Sequence, residues 1–233
     1  MNRPADAAKR CRFRPAAAAR ARRGQANCGV FALLALAAAL LAGPGSAVFG
    51  AESAAPDPRQ EVSSVISRVL PILRDKATPV SQRRKRLLEI IEPNFDFRYM
   101  ARSALGYHWR ELSPAQRDEF AQLFTAFMEN AYLSRINDYT GQEIAVDDAT
   151  TQEPGRVKVV SRVLKEGAQP IRVDYLLRRE GSDWKIYDVT VDAISIIANY
   201  RNQFNRVINN DGFDKLLSIL RRKQQELRNS LAE

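Results

Sequence analysis

The sequence predicts an α+β fold, in which helices pack around one curved four-stranded antiparallel sheet. Apolar residues recur every three or four positions over residues 59–139, then alternate with polar residues over 142–191, and return to helical spacing from residue 197. The turns between successive alternating segments are short, which is typical of neighbouring antiparallel strands. Because no sequence repeat is visible, we expect a single domain over residues 59–228, followed by a short tail at 229–233.

The first 51 residues have the order of segments that defines a secretory signal peptide. Eight basic residues precede an apolar run at residues 28–42, which Gly43 and Pro44 end. The run is short for a membrane span, and the small residues after it have the spacing that a signal peptidase accepts. We therefore expect export and cleavage after a leader at 1–51, with a flexible N-terminus over 52–58. The alternatives are an uncleaved anchor and an arginine-rich mitochondrial presequence.

The positive charge of the chain is concentrated in this leader. The whole sequence carries 36 Lys and Arg and 27 Asp and Glu, and residues 1–51 hold 8 of the former and 1 of the latter. The remaining residues therefore carry 28 basic and 26 acidic side chains, a net charge of +2. A chain so near neutrality lacks the basic surface that nucleic-acid binding needs. Both cysteines, Cys11 and Cys28, also lie in the leader, so no internal disulfide is expected in the exported chain.

Capping residues and prolines define the helices that precede the sheet. Residues 59–74 form the first helix, with a bend expected at Pro71. A threonine and a proline at 78–79 open the second helix, which ends near residue 92. The third helix is short and spans residues 96–105.

The capping box at residues 113–116 opens the longest helix of the chain. Its Ser-Pro-Ala-Gln sequence combines the cap with a proline at the first helical position. Phe120, Phe124 and Phe127 share one face of this helix, which we expect to end near Tyr139.

Four alternating segments follow and supply the strands. They lie at residues 142–151, 156–164, 171–177 and 184–191. Two amphipathic helices finish the chain, the first with Ile197, Tyr200 and Phe204 on one face and the second beginning near Phe213.

The residues that carry chemistry in most enzymes are scarce. His108 is the only histidine, and we interpret it as a surface or edge residue rather than a general base. No Gly-x-Ser-x-Gly frame is present, and the exported chain has no second histidine or cysteine to share a metal ion. We therefore predict that the protein is not an enzyme and has no catalytic residue, metal site or cofactor.

The main feature left to explain is the number of large apolar side chains on the helix faces and on one face of the sheet. They form either a solid core or a core that is partly hollow and holds a lipid tail. The residue types alone do not distinguish these two interpretations.

Three segments of the chain resemble one known family. The first segment reads Phe-Asp-Phe-Arg-Tyr-Met-Ala-Arg-Ser-Ala-Leu-Gly from residue 95 and continues with Trp109 and with Leu-Ser-Pro-Ala-Gln-Arg from residue 112. The second consists of Tyr-Asp-Val from residue 187, Ile-Ser from 194 and Asn-Tyr-Arg-Asn-Gln-Phe from 199. The third is Gly-Phe-Asp-Lys-Leu-Leu from residue 212. With these segments, roughly residues 60–225 resemble the MlaC family of periplasmic phospholipid carriers, also known as toluene-tolerance proteins. One difference is Ala193, where the family commonly has glycine.

The resemblance implies a carrier that shuttles phospholipid across the periplasm and maintains the lipid asymmetry of the outer membrane. Its implied partners are an inner-membrane ABC-transporter complex with an MlaD-like subunit and an outer-membrane lipoprotein–porin complex. The implied fold is similar to the cystatin/NTF2-like arrangement, with acyl chains in an apolar tunnel between sheet and helices and the headgroup near solvent. We expect a monomer that binds no nucleic acid.

Three alternatives remain. The first is a non-carrying periplasmic adaptor subunit of a transporter, with a filled core. The second is a hydrolase that uses the same pocket, which a single histidine disfavours. The third is a carrier of a hopanoid or sterol-like lipid, which an apolar cavity also accommodates.

Nineteen residues are the candidate contacts to the lipid tails, chosen from the faces that they occupy. On the sheet they are Val157, Val159, Val163, Ile171, Val173, Tyr175, Leu177, Trp184, Ile186, Tyr187, Val189 and Val191. On the helices they are Phe120, Phe124, Phe127, Met128, Ile197, Tyr200 and Phe204. The last strand could present either face. We expect Arg201 to pair with an acid or to cap a helix rather than to hold a phosphate.

Overall fold

The computed structural model describes residues 56–133 and 136–232 of the 233-residue chain. The predicted signal peptide, 1–51, lies outside the described residues, and so does most of the predicted flexible N-terminus. The helices are α1 Pro58–Arg74, α2 Val80–Ile91, α3 Phe97–Leu105, α4 His108–Glu111, α5 Pro114–Leu133, α6 Ile196–Asp211 and α7 Phe213–Ala232, with 3-10 turns at Glu92–Asn94 and Ile136–Asp138. The strands are β1 Glu143–Glu153, β2 Arg156–Leu164, β3 Ile171–Glu180, β4 Asp183–Val191 and β5 Ile194–Ser195.

The strands form one antiparallel sheet in the order β1-β2-β3-β4-β5, so each strand pairs with its neighbour in sequence. The predicted α+β class and the predicted meander are confirmed, with one strand more than expected. β5 has two residues and pairs with the end of β4 after a turn at Asp192 and Ala193. A strand of two residues is too short to show an alternating pattern, so the sequence did not predict it.

The alternation predicted for β2 and β3 is observed in the pairing. Val159 lies opposite Tyr175, and Tyr175 lies opposite Val189 on the next strand, so the three share one face. All three are buried. Helix α1 lies against β1 and β2. It contributes five apolar residues to the same core: Val62, Val65, Ile66, Val69 and Leu73.

A β-bulge in β4 decides which residues of this strand face the core. The pairing of β4 with β3 shifts register at Tyr187. The extra residue reverses the alternation, and side chains on both sides of it therefore reach the core: Trp184, Ile186, Val189 and Val191. Tyr187 itself is half-buried and packs edge-on against Tyr99, with 5.3 Å between ring centres.

Five aromatic side chains pack together between α5 and α6. We call Phe120, Phe124, Phe127, Tyr200 and Phe204 the aromatic cluster. Neighbouring rings in the cluster have centres 5.2 to 6.4 Å apart, and the closest pair, Phe127 and Tyr200, meets edge to face. This is the separation at which aromatic pairs add to the stability that burial alone provides, so the cluster holds α5 against α6.

The helix that the capping box opens is shorter than predicted. α5 ends at Leu133, and a separate 3-10 turn follows at Ile136–Asp138. Contacts from other elements hold this segment. Asn137 accepts a hydrogen bond of 2.6 Å from the Arg83 guanidinium on α2, and the Arg74 guanidinium on α1 donates to the Tyr139 hydroxyl at 3.4 Å. These tertiary contacts turn the chain towards β1, and no local sequence signal announces them.

Candidate functional site

An apolar cavity lies beside β4, between that strand and the helices α2, α3 and α5. Eight apolar side chains and two polar ones form its wall: Ile91, Phe95, Phe97, Met100, Met128, Leu133, Val189 and Ile196, with Glu129 and Tyr132. The space that no protein atom fills is about 480 Å³, counted with the solvent at its mouth, and about 40 Å³ of it admits the centre of a water molecule. The apolar space predicted between sheet and helices is therefore a narrow cavity in this structure.

The segment that holds Phe95 and Phe97 closes one side of the cavity, and backbone contacts keep it there. Phe95 forms a β-bridge with Ile186 of β4, and the N–H of Asp96 donates to the carbonyl of Ile186 at 2.9 Å. The Asp96 carboxylate caps α3 by accepting a backbone N–H at 2.8 Å, and it also pairs with Arg178. These contacts join α3 to β4 and fix the two phenylalanines in the wall.

Asp188 positions another part of the wall, where β4 continues through β5 into α6. Its carboxylate accepts the Ser195 hydroxyl at 2.5 Å and the N–H of Ile197 at 3.2 Å. Ser195 in turn caps α6 by accepting a backbone N–H at 2.9 Å. Burial raises the pKa of the Asp188 carboxyl, and these hydrogen bonds oppose the shift. The arrangement sets Val189 and Ile196, each next to one of these polar residues, into the cavity wall.

Tyr132 is one of the two polar residues in an otherwise apolar wall. The hydroxyl is buried and has no hydrogen-bond partner, and the same is true of the hydroxyl of Tyr200. The two groups interact electrostatically, but no hydrogen bond of normal geometry joins them. Burial raises the pKa of both phenols, so both remain protonated and able to donate at neutral pH.

The half-buried Glu129 contributes the carboxyl group of the wall. Burial and repulsion from Glu92 raise the pKa of its carboxyl, while Arg84 opposes this shift. Arg84 is itself buried, and the loss of solvent lowers its pKa. The site thus combines a lining suited to an alkyl chain with polar groups that could meet the polar end of the same molecule.

The structure brings two of the nineteen predicted lipid contacts, Met128 and Val189, to this wall. The other sheet residues are buried on the core side of the sheet, except for Ile171 and Tyr187, which are half-buried. Ile197 is buried in the first turn of α6, and the remaining helix residues belong to the aromatic cluster. The nineteen residues are therefore distributed through the core rather than gathered around the cavity.

Sequence reasoning missed most of the wall, although a signal for three of its residues was present. Phe95, Phe97 and Met100 stand in the segment that resembles the known family, beside an aspartate that caps a helix. Ile91 and Leu133 lie at the ends of α2 and α5. Such helix ends meet only in the folded chain, so no local pattern could have indicated them.

His108 is buried, which corrects its interpretation as a surface or edge residue. Its exposed fraction is 6 %, and its Nε2 lies 2.9 Å from Oδ1 of Asn205 on α6. The imidazole also packs against the ring of Tyr107, with 4.0 Å between ring centres. These contacts give His108 a structural position between α4 and α6.

A metal centre and a membrane-spanning helix are two other features that could indicate a function. Within 56–133 and 136–232, no group of three or more His, Cys, Asp or Glu side chains is placed to hold a metal ion. None of the helices in the described ranges combines the length and the apolar character that crossing a bilayer would need. The apolar lining of the cavity beside β4 makes it the candidate functional site.

Two curated relatives share sequence with this chain. The intermembrane phospholipid transport system binding protein MlaC of Haemophilus influenzae is 22 % identical over 143 residues, which cover 58 % of this chain and 64 % of that protein. The toluene tolerance protein ttg2D of Pseudomonas putida is 27 % identical over 129 residues, which cover 55 % of this chain and 60 % of that protein. The chain thus matches less than two thirds of the length of either relative.

A solved structure has the same fold. It is the phospholipid-binding protein from Ralstonia solanacearum in complex with a phospholipid, with a TM-score of 0.61 and 22 % identity over 70 % of this chain and 94 % of that one. The sequence pattern of the MlaC protein family matches residues 63–222, which is more than half of the chain. The chain therefore belongs to the MlaC protein family.

Proposed function

We propose that this protein is a periplasmic carrier that moves phospholipid between complexes of the outer and inner membranes. The observation that carries the proposal is the apolar cavity beside β4 in a chain of the MlaC family. The relative from Haemophilus influenzae is named as the binding protein of an intermembrane phospholipid transport system, and the solved relative from Ralstonia solanacearum holds a phospholipid. In this proposal the acyl chains lie in the cavity and the headgroup stays near solvent.

The free energy of lipid transfer explains why a carrier suffices. Exposing an acyl chain to water costs about 0.8 kcal/mol per methylene, so a chain of ~16 carbons costs roughly 12 kcal/mol. An apolar cavity removes that barrier, because transfer from bilayer to cavity exchanges one apolar environment for another. Carrying the lipid therefore needs no chemical step, and the direction of transport comes from the partner complexes.

The cavity must widen to hold a lipid. Sites that bury small-molecule ligands measure about 300–1,000 Å³, whereas about 40 Å³ of this cavity admits the centre of a water molecule. Met100 on α3 and Met128 on α5 lie in the wall, and unbranched methionine side chains adapt easily to a change of shape. Separation of α3 from α5 then extends the cavity towards the other predicted contacts on the core side of the sheet.

The cellular setting belongs to the same proposal. Residues 1–51 act as the signal peptide that directs export, and residues 59–228 act as one monomeric lipid-binding domain. An inner-membrane ABC transporter with an MlaD-like subunit and an outer-membrane lipoprotein–porin complex are the proposed partners. The name of the Haemophilus influenzae relative, a component of an intermembrane system, supports this setting.

Native mass spectrometry after incubation with phospholipid vesicles tests the proposal. A carrier is expected to show the added mass of a bound phospholipid, which denaturation releases for identification. Apoprotein alone, before and after the incubation, would contradict the proposal and support a non-carrying adaptor. A hopanoid or sterol-like lipid in the extract would replace phospholipid as the cargo.

A further inference from the structure

We propose that Tyr132 recognises the ester group of a bound glycerolipid, with its hydroxyl donating a hydrogen bond to an ester carbonyl oxygen. The inference rests on the proposed function and names the polar contact within the apolar cavity. It starts from a buried donor that the protein itself does not satisfy.

Buried polar groups in native proteins nearly always have a hydrogen-bond partner, so each exception requires an explanation. Among the described residues, the buried side-chain atoms without a partner are three tyrosine hydroxyls, those of Tyr132, Tyr175 and Tyr200, and one guanidinium nitrogen of Arg83. Of these four side chains, Tyr132 belongs to the cavity wall. Its hydroxyl is therefore the unsatisfied group that a wall residue carries, and it becomes accessible to a bound molecule when the cavity widens as proposed.

The neighbours of Tyr132 do not supply the hydrogen-bond acceptor that its hydroxyl lacks. If a small movement joined its hydroxyl to that of Tyr200, one hydrogen bond would use one of the two O–H donors and leave the other without an acceptor. The carboxylate of Asp188 also interacts electrostatically with Tyr132, but no hydrogen bond joins it to the Tyr132 hydroxyl. An acceptor from outside the chain is needed to satisfy both phenols.

The chemistry of the cavity selects the kind of acceptor. The wall is apolar apart from Tyr132 and Glu129, so a charged acceptor such as a phosphate or a free carboxylate would lose its water without gaining a cation in the wall. An ester carbonyl oxygen is a neutral acceptor and is attached directly to the acyl chain that the apolar lining suits. The geometry therefore matches the junction between the acyl chains and the glycerol backbone.

Binding of two matched lipids to Tyr132→Phe tests the inference. The first probe is a diacyl phosphatidylethanolamine, and the second is its dialkyl ether analogue, which lacks both carbonyl oxygens. We expect the native protein to bind the ester lipid about tenfold more tightly, the ratio that corresponds to about 1.4 kcal/mol. In Tyr132→Phe the ester lipid should lose this advantage, while binding of the ether lipid should stay unchanged.

Tyr107→Phe is the control, because it removes a hydroxyl from an exposed tyrosine that bonds Asn205 and Asn209 away from the cavity. This variant should keep the native preference for the ester lipid over the ether lipid. Because the affinities for the ester lipid and the ether lipid are measured on one preparation of each variant, their ratio does not depend on the fraction of molecules that is folded. If both lipids bind but the preference is absent, or is unchanged in Tyr132→Phe, the inference is wrong and the carrier function stands. If the native protein binds neither lipid, the proposed function fails, and the inference with it.

Discussion

The guanidinium of Arg201 on α6 donates a hydrogen bond to the backbone carbonyl of Ser103 in the last turn of α3, with 2.7 Å between Nε and O. The bond places a positive charge at the negative end of the α3 dipole. Gly106 ends α3 with φ +59°, and a Cβ there would be in ordinary contact with Arg201, 3.5 Å from the arginine Cδ. Arg201 therefore caps a helix, one of the two roles expected from the sequence.

We expect Arg201→Ala to lower the free energy of unfolding by about 1 kcal/mol, because the end of α3 loses a charged donor. Urea unfolding followed by circular dichroism measures the change. Arg206→Ala, at an exposed position of the same helix, is the control and should shift stability by less than about 0.5 kcal/mol. Equal losses in the two variants would show that the cap contributes nothing.

The turn before β5 supplies a second prediction. Asp192 and Ala193 have φ values of 47° and 65°, a left-handed conformation that disfavours residues with a Cβ. We expect Ala193→Gly to raise the free energy of unfolding by about 0.5 kcal/mol, since relief of the Cβ clash outweighs the greater entropy of unfolded glycine.

Ala168→Gly is the matched control for this turn. Ala168 is also exposed, but its φ is not positive, so the same substitution gains no relief and should be neutral or slightly destabilising. Thermal unfolding of both variants distinguishes these outcomes. A lower stability of Ala193→Gly than of the native protein would indicate that the turn tolerates alanine without strain.

Glu129 predicts a pH dependence of stability. Its pKa is raised in the folded protein, chiefly by burial, so the folded state holds the proton more tightly than the unfolded chain. Its contribution to stability is therefore complete below the unfolded pKa of about 4.3 and is lost as the pH rises through the folded pKa. Glu129→Gln, which does not ionise, should be more stable than the native protein at pH 7, and the difference should shrink towards pH 4.

Urea midpoints at these two pH values measure the effect. Glu89→Gln on α2 is the control, because it makes the same substitution at an exposed position. Parallel stability curves for Glu129→Gln and the native protein between pH 4 and 7 would contradict the assignment of a dehydrated carboxyl at position 129.

Lipid occupancy should respond to a larger side chain in the cavity wall. We expect Val189→Phe to reduce the bound phospholipid several-fold, because the ring occupies the space beside β4. Some loss of stability, about 1–3 kcal/mol, accompanies the added volume. Native mass spectrometry of vesicle-loaded protein measures the occupancy, and circular dichroism confirms that the variant is folded.

Two further valines separate filling of the cavity from general overpacking. Val69→Phe enlarges a fully buried residue of α1, which lies against β1 and β2, so it should cost stability without a comparable loss of lipid per folded molecule. Val80→Phe adds the same volume at an exposed position, with 42 % of the valine surface accessible, and should change neither property. Native occupancy in folded Val189→Phe would exclude this cavity as the binding site.

Local signals explain which elements could be predicted. Ser113 and Gln116 exchange hydrogen bonds of 2.9 and 3.3 Å at the start of α5, as the capping box requires. The alternation of Val157, Val159 and Val163 predicts a strand because each of these side chains must reach the same face. Such patterns depend on residues a few positions apart, and they need no knowledge of the rest of the chain.

By itself, the sequence determined the α+β class, the order and approximate bounds of the longer elements, and the scarcity of catalytic side chains. The tertiary structure decided the rest: the bulge at Tyr187 that returns Val189 to the core, the burial of His108, and the cavity that joins Ile91, Phe95 and Tyr132. Helical and strand periodicity are properties of neighbouring residues. A cavity is a gap between elements that are distant in the chain. Only the packing of those elements decides where the cavity lies and leaves the Tyr132 hydroxyl without a partner.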